Sequence, residues 1–355
     1  MPIDPDFWAG RRVLLTGHTG FKGAWLSLWL QALGAKVSGL APGPPTRPSL
    51  YELAGIAAAM EQEHAVDVRD AEALRGALRE ARPEVVLHLA AQPMVRRSLR
   101  DPAMTYAVNV LGTVNVLEAV RLEVGDVRAV VVVTSDKCYE NPGDQSRRFV
   151  EGDPLGGSDP YSSSKACAEL VTASYRRSFF STEDAPRVAS ARAGNVIGGG
   201  DWGEDRLIGD IVRAVRAGET VRVRNPGAVR PWQHVLNPLS GYLLLAQELC
   251  GSPRAAQAWN FGPRDGDARM VGWIVERLAE LWGDALRWEL DGGENPPEAG
   301  YLALDSAKAE RELGWRAKWD LGAALERIVQ WHEAERGGED MRETSLAQIE
   351  LFAGG

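Results

Sequence analysis

Apolar residues follow two rhythms along this chain. Short, nearly unbroken apolar runs at Arg12–Thr16, Lys36–Leu40, Val85–Leu89, Ala129–Thr134 and Val188–Ala191 have the texture of strands buried on both faces. Longer stretches between them, Ala24–Leu33, Ala71–Ala81, Thr105–Val120 and about Ser162–Ser178, bring apolar side chains back every three or four residues and are predicted as helices. Strand and helix alternate, so the pattern predicts an α/β fold with a parallel sheet covered on both faces. After Lys36–Leu40, the run Pro42-Gly43-Pro44-Pro45 cannot continue a central ladder and reads as a loop over the sheet edge. The segment Glu140–Gly157, rich in Gly, Asp and Arg, reads as a further loop.

From Gly194 the texture changes. Gly198-Gly199-Gly200, Asn225-Pro226-Gly227 and Arg230-Pro231-Trp232 break the chain into shorter elements, followed by helical patterns at Pro238–Leu249, Val271–Leu281, Ser306–Leu313, Leu321–Trp331 and Met341–Leu351. The expected organisation is a first domain over 1–193 and a smaller mixed lobe over 194–355, with some segments returning to the first domain. At 355 residues, with 45% hydrophobic and 25% charged residues, the chain is long enough for such a pair. A net charge of -9 argues against a general polyanion binder, although local basic side chains can still clamp a phosphate. The N-terminal stretch lacks the basic and apolar regions of a signal peptide, and no apolar run reads as long enough to cross a bilayer, so a cytosolic location is expected. Cys138, Cys167 and Cys250 are odd in number, far apart and without His partners at metal-site spacing, so no metal is expected and the thiols read as reduced and structural. The 12 tryptophans are scattered, which suits packing better than a stacking platform for nucleic acid.

Candidate chemistry begins with Gly17, Gly20 and Gly23, at three-residue spacing between the first strand and the first helix. The first glycine permits a tight turn, the second close approach of a pyrophosphate to the backbone, and the third close packing at a helix N-terminus that faces the anion. Three turn glycines without a ligand have the same spacing; their place after the first strand favours a dinucleotide and a Rossmann-like domain. No acidic residue stands after the second strand to bind the adenosine ribose of NAD. Arg47 could approach the extra phosphate of NADP or be a solvated loop residue, so NAD is expected with NADP left open. Asp67 and Val68 offer an acceptor and an apolar surface for an adenine, an arrangement that a plain Asp turn also produces.

Tyr161 and Lys165 are four apart and share a helix face. A neighbouring ammonium favours tyrosinate, which can take an alcohol proton as a hydride leaves the same carbon. A packed tyrosine beside a solvated lysine has the same spacing, but here Ser135-Asp136-Lys137 stands upstream at a predicted strand end, where open α/β sheets place their sites.

Together, Thr16–Gly23, Leu89-Ala90-Ala91-Gln92-Pro93, Thr134–Tyr139, Asp159–Lys165, Ala193–Trp202 and Arg230–His234 resemble the extended short-chain dehydrogenase/reductases, and within them the sugar-nucleotide 4,6-dehydratases. The resemblance runs over nearly the whole chain. It implies a Rossmann-like parallel sheet with helices on both faces and a smaller, mixed C-terminal substrate-binding lobe. By the same resemblance the cofactor is NAD, held by Gly17, Gly20, Phe21, Lys22, Gly23, Asp67, Val68, Leu89, Ala90, Ala91, Asn109, Tyr161 and Lys165. CDP-glucose is the implied substrate, contacted by Gln92, Ser135, Asn195, Arg206 and Arg230, with Arg230 as the diphosphate clamp. Catalysis is implied for Ser135, Asp136, Lys137, Tyr161 and Lys165, and Asn109 is matched to an asparagine whose helix distortion supports the Tyr/Lys pair. The wider dehydratases carry Glu where this chain has Lys137, so a lysine would have to serve as the C5 base or share that role. The resemblance further implies a homodimer or dimer-based homotetramer feeding 3,6-dideoxyhexoses into surface polysaccharide. A 4-epimerase needs the same C4 oxidation without elimination, and a nucleotide-sensing protein would bind cofactor without turnover. His18 and His234 read as structural as readily as chemical.

Overall fold

The computed structural model of the protein describes residues 2–123, 125–144, 147–293 and 301–354. Residues 145 and 146 of the expected 140–157 loop lie outside them. Five predicted strands appear as β1 (Arg12–Thr16), β2 (Lys36–Leu40), β4 (Val85–His88), β5 (Ala129–Val133) and β6 (Arg187–Arg192). Two more join them: β3 (Gln62–His64), outside β2, and the strand Ala258–Asn260, outside β6. The sheet runs Ala258–Asn260, β6, β5, β4, β1, β2, β3, and every pairing is parallel. The chain after Leu40 therefore does not pass over a free sheet edge, because β3 covers β2. Ala258–Asn260 returns from the C-terminal half of the chain to the sheet.

The central strands β1, β4 and β5 are apolar almost throughout because both faces are covered. Leu15, Val85, Leu87 and Val131 pack on one side with Trp25, Leu28, Tyr242 and Leu243, while Leu14, Val86, Val130 and Val132 pack on the other with Leu74, Leu78, Val116 and Leu117. The helix after β1 spans Phe21–Ala32, starting three residues earlier than its apolar pattern suggests, because Gly20 starts it and Gly23 sits inside its first turn. Beyond the sheet lie three two-stranded pairings: Val196–Ile197 with Gln233–His234, Val229–Pro231 with Ala268–Met270, and Thr220–Val223 with Arg287–Leu290.

The long helix Pro102–Leu122, 21 residues, contains an 18-residue stretch of mean hydropathy 1.2, long and apolar enough by those measures to cross a bilayer, contrary to the sequence expectation. Its polar side chains explain why it lies in the core instead. Thr105, Asn109 and Thr113 are buried and hydrogen-bonded, and Asn115 donates to Val68 O at 2.9 Å, so the helix is stitched to neighbouring segments of the fold.

Candidate active site

The C-terminal ends of β1, β4, β5 and β6 converge on one region, and each supplies a distinct part of it. After β1, Gly17 has φ +72°, and a Cβ there would lie 2.8 Å from Ala90 N; at Gly23 a Cβ would lie 2.1 Å from Gly17 O. At Gly20 a Cβ would meet only Gly17 O, at 3.4 Å. Gly20 caps the Phe21–Ala32 helix without a side chain, so the first N–H groups of that helix face outward from a bare backbone cradle. This geometry fits a dinucleotide pyrophosphate. Leu89, Ala90 and Ala91, half-buried at the end of β4, border the cradle, with Ala90 N donating to Thr16 Oγ1 at 3.2 Å. Val68 is buried against Gly112. Asp67 accepts from Arg69 through both carboxylate oxygens, at 2.9 Å from N, 3.0 Å from Nε and 2.7 Å from Nη2, so it is engaged in its own turn.

No acidic residue follows β2, but one appears a strand away. Glu63 on β3 is paired with Gly39 on β2, and its carboxylate meets His18 Nε2 at 2.9 Å and also accepts from the Tyr51 hydroxyl. A Cβ at Gly39 would lie 2.5 Å from the His18 ring, so Gly39 is the space that lets His18 reach Glu63. Nothing in the polar run 62–64 singles this acid out before the strands are paired. Arg47 is 85% exposed and lies 3.7 Å from Glu52.

At the end of β5, Ser135 caps a short 3-10 turn over Asp136–Cys138 and accepts from Lys137 N. Its hydroxyl donates to Asp136 Oδ1 at 3.0 Å, and it lies near enough to the Tyr161 hydroxyl to influence its ionisation. Tyr161 stands in the first turn of the helix Pro160–Ser178, which starts there because Asp159 accepts from Ser162 N and Pro160 occupies the first helical position. Ser98 Oγ accepts the Tyr161 N–H at 3.1 Å, an amide that the helix itself leaves unpaired. Burial pushes the Tyr161 hydroxyl up to about 12, opposed by the neighbouring Ser135 and the Arg206 charge. Lys165, buried one turn on, donates to Val133 O at 3.2 Å, and burial pulls its ammonium down to about 8 against the pull of Glu169.

Asp136 is buried, and Oδ2 has no hydrogen-bond partner within the protein. Desolvation raises its pKa, opposed by Lys137, the Ser135 hydrogen bond, Lys22 and Arg230. Lys137 itself is half-buried. Lys22 is half-buried too, and its ammonium is pushed down to about 7 by desolvation, then by Arg206 and Lys165, against Asp136 and Asp201. A depressed amine beside Asp136 is therefore found at Lys22, which sequence reasoning placed only with the cofactor.

The remaining substrate candidates divide. Arg206 pairs with Asp201 at 2.8 Å and its charge reaches Tyr161; Arg230 is buried on the strand Val229–Pro231, its charge reaching Asp136. Asn195 follows Gly194, whose backbone adjoins Asp136, and its carbonyl accepts from Gln233 N at 3.2 Å. Gln92 turns inward: Nε2 donates to Met94 O and Thr105 Oγ1, and Oε1 accepts from Met94 N, so its side chain holds the loop after β4. Asn109 sits in a π turn over Ala107–Leu111. Its Oδ1 accepts from Gln92 N at 2.8 Å, and Nδ2 donates to Gln92 O and, at 2.8 Å, to Ser164 Oγ beside Lys165. Phe21 borders Gly198, where a Cβ would come within 3.0 Å of its ring. His234 is buried between Trp25 and Trp319, and burial lowers its imidazole to about 3, a neutral packing residue.

Comparison with known proteins bears on the same features. The chain is 51% identical to the CDP-glucose 4,6-dehydratase of Salmonella typhimurium over 98% of its own length and 97% of that protein's. It is 30% identical to the UDP-glucose 4-epimerase of Mycolicibacterium smegmatis over 90% of this chain and 98% of the relative. Among solved structures, the dTDP-glucose 4,6-dehydratase DesIV of Streptomyces venezuelae, with NAD and TYD bound, superimposes with a TM-score of 0.77 at 26% identity, covering 93% of this chain and 99% of that one. Residues 13–262 match the family described as the NAD dependent epimerase/dehydratase family, a span running from β1 past the last strand of the sheet. With that span, the glycine cradle and the Tyr161/Lys165 helix all in agreement, the chain belongs to the NAD dependent epimerase/dehydratase family.

Proposed function

We propose that this protein is an NAD-dependent hydro-lyase that converts CDP-glucose to CDP-4-keto-6-deoxyglucose and water. The observation that carries the reading is the convergence of Tyr161, Ser135 and Asp136 beyond the end of β5, which brings an alcohol base near a buried carboxylic acid that accepts from Ser135, in a chain 51% identical to a CDP-glucose 4,6-dehydratase. The glycine cradle of Gly17, Gly20 and Gly23 would hold NAD, which would supply reversible hydride storage between C4 and C6 of the sugar with no net oxidation. Glu63, whose carboxylate adjoins the glycine loop, supports NAD over its 2′-phosphorylated form by repulsion.

Tyr161 takes the C4 hydroxyl proton, with Ser135 orienting the same oxygen. The C4 carbonyl acidifies C5, a lysine amine removes the C5 proton, and Asp136 protonates the C6 hydroxyl so that it departs as water. Desolvation suits Asp136 to this work, because a raised pKa keeps a proton on the carboxyl at higher pH than in water. Lys137 is the assigned base by its place after Asp136; Lys22, whose ammonium is pushed down to about 7, is the second candidate. Arg230 and Arg206 supply positive charge for the diphosphate, with Asn195 beside them.

The exposed Leu111, Leu122 and Leu170 on the helical segments 102–122 and 160–178, with Phe179 just past the second, support a homodimer packed through these helices. The 4-keto-6-deoxy product suits onward conversion to 3,6-dideoxyhexoses in the cytosol. Incubation with NAD and, separately, with CDP-, UDP-, dTDP- and GDP-hexoses tests the reading by product mass and NMR. A 4-keto-6-deoxy product from the CDP sugar is expected; a C4 epimer, or no turnover of any sugar nucleotide, overturns it.

A further inference from the structure

Beneath the site lies a buried ion pair that none of the chemistry above uses. Glu169 stands four residues after Lys165 on the helix Pro160–Ser178, hence on the same face. Its side chain and that of Arg192 are only 2% and 4% exposed, and Glu169 Oε2 accepts from Arg192 Nη2 at 2.8 Å. The carboxylate also accepts from Ser190 Oγ at 2.6 Å and from Thr134 Oγ1 at 2.5 Å, the latter immediately before Ser135. Arg192 Nη1 in turn donates to the Tyr139 hydroxyl at 2.6 Å and to Glu151 O at 3.1 Å, and Tyr139 donates to Asn260 Oδ1 at 2.7 Å. One carboxylate thus ties the helix bearing Lys165 to both strands whose ends carry Ser135, Asp136 and Gly194.

We propose that Glu169 is a positioning residue for the reaction, acting through Lys165: its fixed charge holds the Lys165 ammonium protonated, and its hydrogen bonds set the strand end from which Ser135 and Asp136 project. The inference rests on the reading of Lys165 as a working cation, and gives that cation a partner. A buried ion pair of this kind is a poor device for stability, since desolvating both charges offsets much of their attraction. Here the surrounding charges need one. Lys165 faces Lys22 from the glycine-loop helix, His88 from β4 and the Cys138 thiol from the 3-10 turn, and Glu169 is the carboxylate among these neighbours, held low by Arg192. Burial lowers the Lys165 pKa and Glu169 is the largest opposing influence.

The chain has six lysines, so [ε-13C]lysine labelling gives a spectrum in which Lys165 is assigned by its loss in Lys165→Met. The titration is run on the protein without nucleotide, and so is read independently of whether CDP-glucose is the substrate. Glu169→Gln is expected to lower the Lys165 midpoint by about one pH unit, a tenfold change in proton affinity. Arg192→Gln breaks the same ion pair but leaves the anion in place, and is expected not to lower it. Should either single variant fail to fold, Glu169→Gln combined with Arg192→Met strands no charge and is expected to show the same lowered midpoint. In the wild-type enzyme and Glu169→Gln, the alkaline limb of cofactor reduction by substrate should move with the titration. An unchanged midpoint in Glu169→Gln or in the double variant, or an equal fall in Arg192→Gln, overturns the proposal and leaves the pair as a brace.

Discussion

Gly194 has no side chain because Asp136 occupies the space: a Cβ built there would lie 2.0 Å from Asp136 Oδ2 and 2.6 Å from its Cγ. The carboxylate is laid against bare backbone, with Oδ2 buried and unpaired. Gly194→Ala must therefore displace the acid. We expect kcat to fall by about 10²-fold, the order of a misaligned proton-transfer group, while calorimetry shows NAD affinity close to wild type. A folded Ala variant with wild-type kcat would show that Asp136 works from more than one position.

The raised pKa of Asp136 has a signed consequence for stability. Between its unfolded and folded values the folded protein holds a proton that the unfolded chain has released, so stability falls as pH rises through that window. Asp136→Asn removes the term. The variant should gain in thermal midpoint over wild type at pH 7 and lose that advantage below about pH 4, the unfolded carboxyl value, while product formation collapses. An advantage that is the same at pH 4 and pH 7 would contradict the desolvation argument.

Tyr161→Phe keeps the buried ring and removes the proton acceptor. Reduction of the bound cofactor by CDP-glucose should slow by about 10²–10⁴-fold with substrate affinity nearly unchanged. Near-wild-type reduction in stopped-flow absorbance would remove Tyr161 from the first step.

Two lysines compete for the C5 proton. Lys137→Met should still reduce the cofactor, accumulate CDP-4-ketoglucose in a single turnover and lose exchange of the C5 hydrogen with solvent deuterium. Lys22, held down to about 7, has neutral amine available at neutral pH. If Lys22→Met produces that accumulation and Lys137→Met does not, the base is Lys22.

Arg230→Ala should weaken CDP-glucose far more than NAD, with Lys restoring charge but not the planar two-pronged contact. Because the guanidinium also holds the Asp136 carboxyl down, its removal should move the basic limb of elimination to higher pH. Unchanged substrate affinity in a folded Ala variant would place Arg230 outside the clamp.

Much of this was legible in the sequence, and the rest was hidden for identifiable reasons. The five long strands and the Tyr161/Lys165 helix announced themselves through unbroken apolar runs and periodicity. β3 did not, since Gln62-Glu63-His64 carries no apolar alternation and is an edge strand defined only by pairing with β2. Ala258–Asn260 is three residues long, too short for any period. Glu169 looked like one more polar helix residue until the fold carried Arg192 and Thr134 to it. The depressed ammonium of Lys22 arises from burial and from cations distant in sequence, quantities that exist only after folding. Gln92 shows the opposite case: its motif drew attention to a binding role, but its side chain is committed to Met94 and Thr105.

The π turn at Ala107–Leu111 carries one more residue than an α-helical turn holds. Deleting a single residue there would close the widened turn into a regular α-helical one, with the flanking turns still in phase but the bulge itself gone. Asn109 could then no longer face Gln92 and Ser164 while Thr113 reaches His88 and Asn115 reaches Val68. In this stretch the count of residues is itself the constrained quantity: losing the extra position takes away the widening that aims Asn109 at Gln92 and Ser164.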